Sequence, residues 1–121
     1  MRKLKVHKGI YIKKSDIHGW GVFTNLNIKK GEIVEECVIP YDLIPINSNI
    51  LSKYRYVWPS RENYDHWCIA LGFGSIYNHS KEKMNINWEI NKEQRIMTFI
   101  AIKDIKISEE LVFNYDSSYF Y

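Results

Sequence analysis

At 121 residues, 45% of them apolar, the chain can enclose one hydrophobic core and is too short for two, so residues 1–121 read as a single domain. Its 17 basic and 14 acidic residues leave a net charge of +3 spread without a dense basic run, which argues against direct nucleic-acid binding. Cys37 and Cys68 sit in no CxxC and at no zinc-like spacing from a histidine, and no apolar run reaches signal-peptide length or the roughly 20 residues of a membrane span. These absences predict a soluble intracellular protein with reduced cysteines, no metal and no membrane contact.

In chain order, Gly9 to Lys14 alternates apolar and polar residues, and the HGWG that follows carries the glycines of a tight turn, giving strand, turn, strand. Lys29, Lys30 and Gly31 make the next turn, and Glu32 to Ile39 is a Val/Ile-rich strand that Pro40 closes. Residues 40–66 read as a variable insertion: Pro45 and Pro59 punctuate it, and only Asn47 to Tyr56 has the length for a short helix. Trp67 to Phe73 is apolar up to Gly72 and Gly74, where glycine implies a close backbone approach. Residues 85–90 and 95–102 read as strands paired around Asn91 and Lys92, the second apolar on both faces and therefore central. A last strand runs from Leu111 to Tyr115. Many short strands with little room for helix predict a mostly β architecture with few short helices.

Three segments combine chemistry with position: GWGVF (Gly19 to Phe23), GFGSIYNHS (Gly72 to Ser80) and EELVFNYD (Glu109 to Asp116). Each has a bland reading by itself. A GxG is usually a turn, Asn-His-Ser a hydrogen-bonded corner, and a tyrosine ending an apolar strand a core aromatic. Together, in this order and spacing, they resemble the SET-domain family of protein-lysine methyltransferases, over about Gly9 to Phe120. The GFGSIYNHS wording resembles most the small stand-alone SET proteins of large DNA viruses.

That resemblance implies the SET fold, small twisted sheets with the C-terminal segment threaded in a pseudoknot-like arrangement, and S-adenosyl-L-methionine as cofactor. It places the backbone of Gly19, Trp20 and Gly21 against the methionine part of the cofactor, with Asn78 and His79 binding it through hydrogen bonds. Phe120, in the segment 116–121, falls where relatives lay an aromatic over the adenine. Tyr115 matches the active-site tyrosine, which would orient the methyl group by weak CH···O contacts. The substrate lysine, with a free pKa near ~10.4, must lose its proton before attack, and an aromatic channel disfavours the ammonium. Tyr56, Trp58, Phe113, Tyr115 and Trp20 are the candidate channel walls. Phe113 stands where relatives choose between Phe and Tyr, and Phe leaves room for di- or trimethylation. Ser108 and Asp116 depart from the family's glycines at those positions, and the cysteine clusters flanking many chromatin SET domains are absent.

The expected partner is a protein substrate, a histone tail foremost, which would put the protein in a host nucleus. The resemblance also leaves a homodimer open. Glu32, Glu35, Glu36 and Glu62 read as a solvated surface that could draw a basic peptide. Two rival readings are a SET-derived module that binds a peptide or lysine without catalysis, and a hydrolase pairing Cys37 or Cys68 with His79.

Overall fold

The computed structural model describes residues 3–40, 44–45, 49, 55–57 and 66–114. Among the described residues the strands are β1 (Ile10–Lys14), β2 (Trp20–Thr24), β3 (Ile33–Val38), β4 (Ile44–Pro45), β5 (Arg55–Val57), β6 (His66–Ile69), β7 (Asn78–His79), β8 (Ile86–Asn91), β9 (Ile96–Ala101) and β10 (Glu110–Phe113). They form three sheets, ordered β1-β2-β10-β7, β3-β9-β8 and β4-β6-β5. No helix occurs among the described residues. The expected helix over Asn47 to Tyr56 is corrected at its C-terminal end, where Arg55 and Tyr56 pair with Ile69 and Cys68 in a sheet. Tyr56 is an aromatic that buries its ring, and a strand sets it flat against the core.

The hairpin β1-β2 follows from the alternation of the sequence, with Ile12 opposite Val22 and Lys14 opposite Trp20. Its loop is closed by the Ser15 N–H donating to the Gly19 carbonyl at 2.8 Å. Strand β9 is central, between β3 and β8. Met97, Phe99 and Ala101 fill one of its faces and are buried, whereas Ile96, Thr98 and Ile100 on the other are half-covered. Burial of side chains such as Phe99, Phe113 and Leu111 supplies roughly 1.5–3 kcal/mol each.

Strand β3 breaks the alternation its sequence suggests. A register shift between Ile33 and Glu35 inserts an irregularity, and Val34, Glu35, Glu36 and Cys37 are all buried. The free edge of β3 is covered by the N-terminal segment: His7 N–H donates to the Val34 carbonyl and Glu36 N–H to the Lys5 carbonyl, both at 2.8 Å. The solvated reading of Glu35 and Glu36 is therefore corrected. Glu36 accepts the Lys5 N–H at 2.9 Å, and Glu35 is 2% exposed. Glu32 keeps a half-exposed side chain 3.6 Å from His7 Nε2, and Glu62 lies outside the described residues.

Strand β10 is inserted between β2, to which it runs antiparallel, and β7, to which it runs parallel. Asn85 locks it there. Its Nδ2 donates to the Glu110 carbonyl and its Oδ1 accepts the Val112 N–H, both at 2.9 Å, while its own N–H donates to the Val112 carbonyl at 3.0 Å. A buried amide thus supplies the hydrogen bonds a neighbouring strand would have given. The threading of residues 116–121 lies outside the described residues.

Candidate active site

The loop between β1 and β2, the start of β10 and the short β7 meet at one point. Gly19 there has φ +49°, a left-handed conformation that favours glycine, and among the described residues no heavy atom beyond its chain neighbours lies within 4 Å of where a Cβ would stand. Trp20 follows it with 57% of its surface exposed, unusual for so large an apolar group. Gly21 is the opposite case. A Cβ there would collide with the Glu110 carboxylate and sit 3.0 Å from Asn78 Nδ2. The second glycine therefore makes room for two of the chain's own side chains.

Asn78 is the hub of the cluster. Its Nδ2 lies 2.9 Å from the His18 carbonyl, 3.1 Å from the Trp20 carbonyl and 2.8 Å from Glu110 Oε2. All three neighbours are acceptors, so the amide can present only its nitrogen to them, and the orientation of the side chain is fixed. Asn78 as a whole is only 8% exposed. Glu110 completes the bracing by accepting the Ser15 hydroxyl on Oε1 at 2.6 Å, and the same hydroxyl accepts the Ile17 N–H at 2.9 Å. Loop, β7 and β10 are thereby one hydrogen-bonded unit.

His79 is half-buried, its ring 6.4 Å from that of Phe113 and nearly perpendicular to it. Phe113 is buried and lies 5.3 Å from the ring of Tyr56. Tyr56 in turn packs edge-on to Trp88 and Phe99, and its hydroxyl donates to the Gly74 carbonyl at 2.6 Å. Tyr56 and Phe113 thus adjoin, while Trp20 is in ring contact with neither. Tyr115, Trp58 and Phe120 lie outside the described residues.

Both cysteines are buried, and burial raises both thiols. Cys68 is pushed up to about 12, with Arg95 pulling weakly the other way; Cys37 is raised further, the charge of Glu35 adding to its desolvation. A buried thiol that keeps its proton at neutral pH is a poor nucleophile out of a substrate's reach, which argues against the hydrolase reading.

Residues 19–116 match the SET domain model. The chain belongs to the SET-domain family. It is 30% identical over 66 residues, 54% of its own length, to the histone-lysine N-methyltransferase of Schizosaccharomyces pombe specific for H3 lysine-37, of which it spans only 42%. Among solved structures, a candidate histone methyltransferase of Plasmodium falciparum superposes with TM-score 0.67 and 32% identity, covering 94% of this chain and 98% of that one. The Chaetomium thermophilum Polycomb repressive complex 2, in an autoinhibited conformation bound to S-adenosylmethionine, gives TM-score 0.66 and 28% identity over 91% of this chain and 15% of that one.

Sequence reasoning singled out Gly19, Gly21 and Asn78 in this SET domain but missed Glu110, Ser15 and Asn85. Glu110 stands in the EEL segment, and a paired acid opening an apolar strand is the signal that could have marked it. Asn85 carries none, since it acts on residues distant in sequence, and Ser15 shows only its local bond to Ile17, not its distant one to Glu110.

Proposed function

We propose that the protein is an S-adenosyl-L-methionine-dependent protein-lysine N-methyltransferase that acts on a histone tail. The observation that carries this reading is the braced junction of the Gly19–Gly21 loop, Asn78 and β10 in a SET domain whose next residues lead to Tyr115. The junction suits a ligand bearing an ammonium. The His18 and Trp20 carbonyls and the Glu110 carboxylate gather acceptors around the Asn78 amide, and among the described residues nothing beyond its chain neighbours crowds Gly19. Exposed Trp20 and half-buried His79 offer ring surface nearby, with Phe120 proposed to cover the adenine.

Bound there, S-adenosylmethionine supplies an electrophilic methyl group. The chain's own residues align, desolvate and shield. Tyr115 orients the reacting groups with its hydroxyl, the task a displacement at a small carbon demands. Tyr56 has its hydroxyl committed to the Gly74 carbonyl, so it presents a ring rather than an acid to the lysine channel. Phe113 adjoins it, and an apolar wall of these two rings, with Trp58 proposed beside them, favours the neutral amine, whereas Trp20 is in ring contact with neither. Phe113 brings no hydroxyl to hold a water where further methyl groups must fit, which supports di- or trimethylation. The substrate peptide is proposed to lie as an added strand in a groove. A histone substrate implies a nuclear site of action, and the GFGSIYNHS wording supports kinship with the small viral SET proteins, homodimers included.

Histone-tail peptides incubated with S-adenosylmethionine and read by mass spectrometry test the substrate and the product state together. The wild type is expected to add two or three methyl groups to one lysine, and Phe113→Tyr to stop at one. A wild type that stops at monomethyl-lysine refutes the role given to Phe113.

A further inference from the structure

The loop that delivers Asn78 to β10 is held from behind by a single buried carboxylate. Glu35 reaches across from β3: its Oε2 accepts the Phe73 N–H and its Oε1 the Tyr77 hydroxyl, each at 2.8 Å. Tyr77 is 4% exposed, lies 4.5 Å from the Phe99 ring and immediately precedes Asn78. Gly72 makes space for this contact, and Gly74 makes space for Ala70 and Cys37 beside it. A Cβ on Gly72, whose φ is +85°, would sit 2.5 Å from Glu35 Oε2, and one on Gly74 would sit 2.9 Å from Cys37 Sγ. A third tie comes from the Tyr56 hydroxyl on the Gly74 carbonyl.

A carboxylate almost wholly removed from water is costly, and here it is compensated by two hydrogen bonds into one loop, with the Cys37 thiol as a further neighbour and no cation among the described residues. An apolar residue would fill the space without that cost. Its loop partners are the two ends of the segment Phe73 to Tyr77, so fixing them fixes where β7 begins and where the Asn78 amide points.

We propose that Glu35 is a positioning residue for the cofactor site, acting through Phe73 and Tyr77 on Asn78. This rests on the reading of the Asn78 junction as the place where S-adenosylmethionine binds. Glu35 touches neither substrate nor cofactor. Its loss should therefore weaken cofactor affinity and leave peptide binding alone, a split that general destabilisation does not produce.

The test is calorimetric titration of the full chain with S-adenosylmethionine, alongside KM for a histone peptide, in wild type, Glu35→Ala, Glu35→Gln and Tyr77→Phe. Glu35→Ala should raise the cofactor Kd about tenfold or more and leave the peptide KM within about twofold. Glu35→Gln should restore most of the affinity, because its oxygen still accepts the Phe73 N–H and its amide can donate to the Tyr77 oxygen. Tyr77→Phe, which keeps the packing and removes one bond, should fall between them. If Glu35→Ala does not fold, the order of the Gln and Tyr77→Phe affinities decides. Cofactor affinity unchanged in every folded variant overturns the proposal. A wild type that binds no S-adenosylmethionine overturns instead the reading of the site on which it stands.

Discussion

The two glycines flanking Trp20 do different work, and substitution separates them. At Gly21 a methyl group meets the Glu110 carboxylate and the Asn78 amide, neither of which can withdraw without breaking the bonds to His18, Trp20 and Ser15. Gly21→Ala should cost about 1–3 kcal/mol, since overpacking is relieved only by movement. At Gly19 the methyl group meets none of the described residues and the left-handed backbone resists it, so Gly19→Ala should cost roughly 1 kcal/mol. Denaturant titration of both variants checks the order. The GxG pattern was legible in the sequence, but its division of labour was not, because the group crowding Gly21 arrives from β10, nearly ninety positions later.

Strands with their own hydrophobic pattern were the legible ones. Alternation marked β1, the glycine turn after it placed β2, and the doubly apolar run marked β9 as central. The short β4 and β5 carry no such pattern and pair with β6, and the helix expected over Asn47 to Tyr56 gives its last two residues to β5. Asn85 was equally silent, a polar residue between Met84 and Ile86, yet it supplies both side-chain bonds that anchor β10 beside it. Asn85→Ala should cost about 2–4 kcal/mol, leaving a buried carbonyl and a buried N–H without partners. Hydrogen exchange should show the Val112 amide losing protection more than amides of β8 and β9; equal loss throughout would mean Asn85 supports the core generally rather than β10.

The whole molecule feels the buried acid through pH. Burial raises the pKa of Glu35 above its ordinary carboxylate value, against the opposing pull of the Phe73 and Tyr77 hydrogen bonds. The folded state therefore holds this proton more tightly than the unfolded chain does. Its contribution to stability is full below the unfolded value of 4.5 and is lost as pH rises through the folded pKa. Glu35→Gln removes that proton from the balance. Wild type should accordingly lose stability relative to Glu35→Gln between acid and neutral pH, and thermal melts at stepped pH measure the difference; a gap that does not vary with pH would mean the pKa is not raised. Nothing in the sequence announced this, because an acid in a strand reads as facing water until the irregularity in β3 turns it inward. The measurement that bears most directly on the account as a whole is transfer of labelled methyl from S-adenosylmethionine to histones by wild type and Tyr115→Phe. Label on lysine with the wild type, lost in the variant while cofactor binding persists, is the predicted result; cofactor bound by both with no protein labelled by either would contradict catalysis and leave a non-catalytic lysine-binding module.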